Sequence, residues 1–210
     1  SVSQIRDVVL ISHGGAGKTS LAEAMLFRSG AINRLGRVDD GTSASDYDPD
    51  EIRRKISVST SILPCSWGDT KLNIIDSPGY ADFVGETKAA VHVADAAIML
   101  VCAVNGIEVG TELTWGYADE RSLPRMIFVN RIDRDNADFL RVLEQIRSRY
   151  GNRCVPLQWP VGSQSSFQGV VDLVSQKGRL GSKGDVGEPP SELSELIATW
   201  RERLIEAVAE

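Results

Sequence analysis

The chain has 210 residues, of which 42% are hydrophobic, so it can bury a core in one or two domains. Its formal net charge of −6 argues against a protein that binds nucleic acid through a broad basic surface, so we expect any RNA to be contacted locally. No apolar run approaches the roughly 18 residues of a membrane span, and the start lacks a signal-peptide pattern, so we expect a cytoplasmic protein without a membrane partner.

Apolar runs that alternate with helical patterns predict an α/β fold. The first apolar run, at residues 8–11, leads through a glycine-rich segment into a helical pattern at 20–28, which Gly30 ends. Further apolar runs lie at 72–75, 97–104 and 125–129, with helical patterns at about 111–121 and 137–150. Strands without polar alternation, separated by helices, predict a mostly parallel sheet with helices on both faces. Ligands bind such sheets beyond the carboxyl ends of the strands.

Two parts of the sequence differ from this pattern. Residues 30–61 are polar and rich in Asp, Gly and Ser, which predicts a long mobile loop. After about Pro160, residues 167–174 read as one strand and 178–190 as a Gly- and Pro-rich connection, so we expect a subdomain to begin there. The closing helical pattern at 191–210 has one apolar face; a partner-binding helix is one interpretation, and we favour a helix packed on the preceding strand.

A phosphate-binding loop is predicted between the first strand and the first helix. Its sequence is Ser12-His13-Gly14-Gly15-Ala16-Gly17-Lys18-Thr19. Glycines let successive backbone N–H groups point at phosphate oxygens at a helix N-terminus, while Lys18 reaches the outer phosphates and Thr19 ligates magnesium. Ser12 departs from the glycine or alanine that is usual at the first position. The alternative is an ordinary Gly-rich turn with an exposed lysine.

A second motif follows the strand that ends at Val129, on the same side of the sheet. Asn130-Arg131-Ile132-Asp133 resembles the Asn-Lys-x-Asp motif of guanine-nucleotide proteins. The carboxylate of Asp133 can accept hydrogen bonds from both the ring N–H and the amine of guanine, a pair that adenine lacks. This motif therefore favours GTP over ATP, although Arg131 replaces the usual lysine and is not an equivalent point charge. The alternative is a solvated turn.

A third motif, Asp76-Ser77-Pro78-Gly79-Tyr80, follows the apolar run at 72–75 and has the Asp-x-x-Gly pattern that senses a terminal phosphate. With these motifs in order, and with Gly41 and residues 65–67, 80–83 and 169–173 alongside, the chain resembles the nucleotide-binding domain of elongation factor G. The resemblance extends over nearly all of the chain and is strongest to the elongation-factor-G-like paralogues.

The resemblance implies a P-loop GTPase fold in a translational GTPase that visits the ribosome. It implies GTP and GDP as substrate and product, magnesium as cofactor, and an inserted α+β subdomain. We therefore expect a P-loop domain at residues 1–157 and part of the insertion at 158–210. We also expect a monomeric fragment of a longer factor, because the family's fifth guanine-contacting motif and later domains would follow the insertion.

Alignment with the family also assigns the magnesium ligands. Ser57 stands where the family has its magnesium-binding threonine, so Thr19, Ser57 and, through water, Asp76 are expected around the ion. The alternative for Ser57 is one more hydroxyl in a Ser-rich stretch. Lys55 replaces a family glycine. Gly79 is expected to donate its backbone N–H to the terminal phosphate, whose loss frees both loops.

Two positions depart from the hydrolysing members of the family. Tyr80 replaces the histidine that orients the attacking water, and Gly15 replaces an aspartate that can hold a charge-compensating cation. A phenol is a poor base at neutral pH but can still hydrogen-bond to water. Of the two histidines, His13 lies in the phosphate loop, and we expect His92 to pack in a helix.

Two functions therefore stay open. The first is a GTPase with weak intrinsic activity that the ribosome stimulates, with Lys18, Gly79 and Tyr80 as its catalytic residues. The second is a GTP-responsive binding module with little or no hydrolysis. We favour the enzyme, because phosphoryl transfer depends mostly on positioning and a partner can share the positioning of water. A third reading, an ATP-using P-loop protein, predicts that ADP competes with GDP.

Overall fold

A computed structural model of the chain describes residues 2–181 and 183–209. The chain divides into two compact units. The first unit contains Ser1–Val101 and Glu108–Asn130, and the second contains Cys102–Ile107 and Arg131–Glu210. The fold is a mixed α/β fold, as predicted. The boundary expected after residue 157 concerns an inserted subdomain, which compactness does not identify, and it stays a prediction.

The first unit is built around a five-stranded sheet. Its strands are β1 (Ile5–Ile11), β2 (Ser61–Trp67), β3 (Thr70–Asp76), β4 (Ala96–Cys102) and β5 (Arg125–Asn130). Their order in the sheet is β2-β3-β1-β4-β5; β1 runs parallel to β3 and β4, and β2 runs antiparallel to β3. Leu10 of β1 lies beside Asp76 of β3. The chain therefore leaves β1 and β3 at the same edge of the sheet, where the phosphate loop and the Asp76 motif begin.

Helices and strands of the first unit share an apolar core. The helices are α1 (Lys18–Arg28), α2 (Pro49–Arg54), α3 (Val84–Val93) and α4 (Val109–Glu120). Ala22 and Leu26 of α1 pack with Leu10, Ile74 and Leu100 from three neighbouring strands. Each large side chain buried in this way stabilises the fold by about 1.5–3 kcal/mol relative to an exposed one. The core thus fixes α1 against the strands that carry the predicted site.

Three local predictions for the first unit were wrong. Residues 30–61 are not loop throughout, because α2 forms there with Asp48 and Glu51 as a capping box and proline at its first position. The strand β5 is not fully buried, because it lies at the edge of the sheet and leaves Met126 and Phe128 exposed. His92 is exposed on α3 and is therefore not a packing residue.

The second unit contains a separate antiparallel sheet. Its strands are β6 (Gln158–Val161), β7 (Gly169–Asp172), β8 (Lys177–Leu180) and β9 (Asp185–Gly187), and they pair in chain order. Its helices are α5 (Phe139–Tyr150) and α6 (Ser194–Ala209). The predicted connection at 178–190 was wrong in part, because β8 and β9 form there. Strand pairing stabilises these short segments, whose own sequences have little strand propensity.

The closing helix packs inside its own unit, as predicted. Ile197 and Leu204 of α6 are buried with Leu143, Trp159 and Val171. The ring of Trp159 contacts that of Trp200 at a centroid distance of 5.3 Å. The last turns of the helix, which carry Ile205 and Val208, are exposed. Within the described residues, no helix combines the length and the apolar character needed to cross a membrane.

Candidate functional site

The loop between β1 and α1 has backbone conformations that glycine adopts easily. Gly15 and Gly17 have φ angles of 78° and 99°, in the left-handed region that other residues adopt at a cost. The amide Nδ2 of Asn130 donates to the carbonyl of Ala16 at 2.9 Å and occupies the space where a Cβ at Gly17 would project. Asn130, which ends β5 and is the first residue of the predicted base-reading motif, therefore holds the loop in place.

The first two residues of the loop use their side chains to hold it in place. The Ser12 hydroxyl donates to the carbonyl of Leu100 at 2.6 Å, so the unusual serine is hydrogen-bonded inside the fold. The ring of His13 is buried; Nδ1 lies 3.0 Å from Oγ1 of Thr111 and Nε2 lies 3.1 Å from Oε1 of Glu108. These side chains already hydrogen-bond to residues of β4 and of the start of α4. An anion in the loop would therefore contact the backbone of Ser12 and His13.

Lys18 supplies the positive charge of the site. Its ammonium is buried and donates to the carbonyl of His13 at 3.0 Å. Burial lowers the pKa of Lys18 to about 8, while the carboxylates of Asp76 and Asp46 act in the opposite direction. A buried ammonium that donates to backbone carbonyls, with carboxylates nearby, gains from an added anion. This is the environment that a phosphate-binding lysine needs.

Beside Lys18, three hydroxyls and two carboxylates form one cluster. The hydroxyls of Thr19 and Ser45 each donate to Oδ2 of Asp76 at 2.7 Å. The Ser57 hydroxyl donates to Oδ1 of Asp46 at 2.7 Å and lies 3.2 Å from Oγ1 of Thr19. The structure thus brings together the three predicted magnesium ligands, Thr19, Ser57 and Asp76. It adds Ser45 and Asp46, which the sequence interpretation missed.

This cluster has the donor set of a hard cation. None of the described residues makes a hydrogen bond to Oδ2 of Asp46 or to Oδ1 of Asp76, although both oxygens are buried. Burial raises the pKa of Asp46 to about 6 and also raises the pKa of Asp76. Two unpartnered acid oxygens beside hydroxyls fit magnesium, which prefers carboxylate, hydroxyl and water oxygens.

The segment after β3 is anchored at both ends. The Ser77 hydroxyl donates to the carbonyl of Leu10 in β1 at 2.7 Å. The Thr87 hydroxyl, in α3, donates to the carbonyl of Pro78 at 2.8 Å. These two bonds fix the turn that carries Gly79 from the sheet to the helix.

Gly79 lies directly on the phosphate loop. A Cβ atom there would lie 2.7 Å from the carbonyl oxygen of His13 and 2.8 Å from the backbone nitrogen of Gly14, and would also collide with the Lys18 ammonium. Only glycine fits, because two of these neighbours are backbone atoms that a side chain cannot push aside. Tyr80 follows with its side chain 44% exposed and its ring against Gly14.

The rest of the base-reading motif belongs to the second unit. Arg131 has a φ of 63° and an exposed side chain, and Asp133 is also exposed. The N–H of Arg134 donates to the carbonyl of Arg131 at 3.2 Å, which closes a turn, and the N–H of Gln164 donates to the carbonyl of Ile132 at 2.8 Å. The roles of Arg131 and Asp133 stay predictions.

Two buried glutamates hold the segment between α1 and β2, and the sequence interpretation missed both. Glu23 of α1 accepts from the backbone N–H of Gly36 at 2.8 Å and from that of Ala44 at 2.5 Å. Glu51 of α2 accepts from the N–H groups of the two residues after Ser57, at 2.9 and 3.0 Å. Glu23 ties the segment to the helix that follows the phosphate loop, and Glu51 fixes the backbone next to Ser57.

Comparison with known proteins agrees with this geometry. The sequence model of one family, described as the elongation factor Tu GTP binding domain, matches residues 3–207. The chain is also similar to a protein from Thermus thermophilus whose crystal structure is known, with 36% sequence identity and a TM-score of 0.92. The match extends over 98% of this chain and 31% of the Thermus protein, so the chain spans less than a third of that protein's length.

Proposed function

Because the chain belongs to the family of elongation factor Tu GTP-binding domains, we propose that it binds GTP and GDP with magnesium and slowly hydrolyses GTP to GDP and phosphate. The site in the first unit supports this proposal. One observation carries it: the buried ammonium of Lys18 interacts electrostatically with the carboxylate of Asp76, which accepts from the Thr19 hydroxyl and whose other oxygen has no hydrogen-bond partner among the described residues. That arrangement suits an anion and a cation side by side, as in a magnesium–phosphate complex.

Each residue of the loop has a task in this proposal. The backbone N–H groups of the loop bind the phosphates at the N-terminus of α1, and Lys18 neutralises charge on the outer phosphates. Gly79, packed on the loop, donates its N–H to the terminal phosphate. The Tyr80 hydroxyl orients the attacking water. Thr19 and Ser57 would supply hydroxyl oxygens to magnesium, and Asp76 and Asp46 would supply carboxylate oxygens to the same site; when bound, the ion would neutralise charge on the phosphate oxygens.

Guanine selection is assigned to the motif at the end of β5. Asp133 accepts hydrogen bonds from the ring N–H and the amine of guanine, and the stem of Arg131 lies along the base. Asn130, the first residue of the motif, donates its amide N–H to the carbonyl of Ala16 in the phosphate loop. ADP should therefore compete poorly with GDP for the site.

Slow hydrolysis follows from two residues. Tyr80 offers a phenol where the family has histidine, and Gly15 offers no carboxylate for a second cation. These same residues favour the second candidate, a GTP-responsive binding module that switches by exchange. We favour the enzyme, because the proposed partner is the ribosome, which can complete the positioning of water. A ribosomal partner also places the protein in the cytoplasm, where we expect it to act as a monomer.

Single-turnover hydrolysis of radiolabelled GTP tests the proposal, with and without ribosomes. We expect slow release of phosphate that ribosomes accelerate, faster release from Tyr80→His, and none above background from Lys18→Ala. If the native protein and Lys18→Ala both match the uncatalysed rate under both conditions while Tyr80→His hydrolyses GTP, the binding module is the correct function.

A further inference from the structure

The ring of Tyr80 occupies the place where a side chain at position 14 would project. A Cβ atom on Gly14 would lie 2.7 Å from Cζ of Tyr80 and 2.9 Å from each of Cε1 and Cε2. These ring carbons are the three nearest atoms, and real Cβ atoms do not approach other atoms so closely. A side chain at position 14 would therefore force the phenol ring to move from this place.

The distances also show which part of the ring meets Gly14. Cζ is nearest, the two Cε atoms follow at equal distance, and the hydroxyl oxygen is not among the three nearest atoms. If the ring pointed its tip at Gly14, the oxygen would be the nearest atom. The ring therefore rests on Gly14 with its face, near the end that carries the hydroxyl group.

The backbone of Gly14 does not itself require glycine. Gly15 and Gly17 have left-handed φ angles, whereas Gly14 is absent from the glycines with positive φ among the described residues. Gly14 therefore lacks the left-handed φ that favours glycine, and the nearest obstacle to a side chain at this position is the Tyr80 ring. Glycine at position 14 is thus explained by its neighbour and not by its own conformation.

We infer that Gly14 is a positioning residue for Tyr80, and that the two residues form a matched pair. The ring packs in the space that glycine leaves free because it has no side chain; we call this space the seat. The seat lies in the phosphate loop, next to the point where Gly79 meets the backbone of Gly14. It holds the phenol hydroxyl beside the terminal-phosphate end of the loop. This inference rests on the proposed function for the catalytic use of that hydroxyl, but the packing itself does not.

A double-mutant cycle measures the pair, with variants Gly14→Ala, Tyr80→Ala and both together, and with Gly85→Ala as control because a Cβ there meets nothing within 4 Å. Two quantities are measured: the melting temperature, and single-turnover hydrolysis of GTP with ribosomes. We expect Gly14→Ala to lower the melting temperature by about 3 °C in the native background and by less than half as much beside Tyr80→Ala.

The rate of GTP hydrolysis distinguishes a loss of Tyr80 positioning from a general loss of stability. We expect Gly14→Ala to slow hydrolysis about tenfold while GDP affinity changes by less than about threefold, because only the water-orienting group moves. In the Tyr80→Ala background the same change should alter the rate by less than about twofold. Tyr80→His, with its smaller ring, should relieve most of the effect of Gly14→Ala.

The two possible failures are distinct. If Gly14→Ala lowers the melting temperature equally with and without the Tyr80 ring, the matched pair does not exist, whatever the rate of hydrolysis. If the melting temperatures show coupling but the native protein does not hydrolyse GTP, the proposed function fails and the catalytic positioning role fails with it.

Discussion

Asp46 makes the stability of the folded chain depend on pH. Burial is the main cause of its raised pKa of about 6, and the nearby carboxylate of Asp76 acts in the same direction. Between the unfolded value of 3.8 and about pH 6, the folded chain binds a proton that the unfolded chain has lost. The free energy of unfolding should therefore fall as pH rises through this window, when no metal is present.

Asp46→Asn removes this titration, so we expect a shallower fall in the free energy of unfolding between about pH 4.5 and 6.5 than in the native chain. Urea unfolding in the presence of a chelator measures it. Asp50→Asn, at an exposed aspartate of the same segment, should keep the native slope. Equal slopes for the native chain and Asp46→Asn would contradict the assignment.

At the scale of residues, the sequence identified side chains with a local signature and missed those defined by distant contacts. Lys18, Thr19 and Asp76 lie in short motifs that can be recognised from the residues next to them in the chain. Asp46 stands in a segment with other aspartates and is singled out only by burial beside Ser57. Lys55 has a φ of 57°, in the left-handed region that glycine adopts most easily, which fits the glycine expected there from the family resemblance.

At the scale of elements, Glu23 connects helix α1 with the segment before β2. Glu23→Gln leaves one acceptor oxygen and turns an amide NH2 donor toward a backbone N–H, so one of the two bonds to Gly36 and Ala44 is lost. We expect a loss of about 1–3 kcal/mol in the free energy of unfolding. Hydrogen exchange at the amides of Gly36 and Ala44 should also become faster.

Glu120→Gln is the control for this change, because Glu120 is an exposed glutamate at the end of α4. It should alter unfolding by less than about 0.5 kcal/mol. If Glu23→Gln had an equally small effect and left amide exchange unchanged, the buried carboxylate would not be holding the segment.

Elements with continuous apolar sequence were the ones that the sequence predicted. Strands β1, β3 and β4 each end in a buried, largely apolar run whose character does not depend on the strand partners. Strands β8 and β9 are short and polar, and they exist because each pairs with a neighbour across the sheet. The start of helix α2 can be recognised in the sequence, because Asp48-Pro49 with Glu51 is the pattern of a helix start.

At the scale of the whole molecule, ligand binding should raise the free energy of unfolding. In the proposed complex, magnesium and GDP would relieve the buried charges of Lys18, Asp46 and Asp76, and any ligand that binds only the folded state stabilises it by mass action. At a GDP concentration of about 100 times its dissociation constant, we expect about 2.7 kcal/mol of added stability, seen as a higher melting temperature.

Removing magnesium with a chelator should reverse part of that gain, and the same concentration of ADP should give none. Thermal unfolding monitored by circular dichroism measures all three conditions. An increase in melting temperature with ADP as large as that with GDP would point to a phosphate site without guanine selection.

The proposed selection of guanine through Asp133 can be tested by exchanging the base. Asp133→Asn replaces one acceptor by a donor, which suits the 2-carbonyl of xanthine in place of the 2-amine of guanine. Calorimetry with GDP and with xanthosine diphosphate compares the two proteins. We predict that the native chain prefers GDP and that Asp133→Asn binds GDP at least about 100-fold more weakly and prefers xanthosine diphosphate. An Asp133→Asn protein that keeps the native preference for GDP would contradict the account.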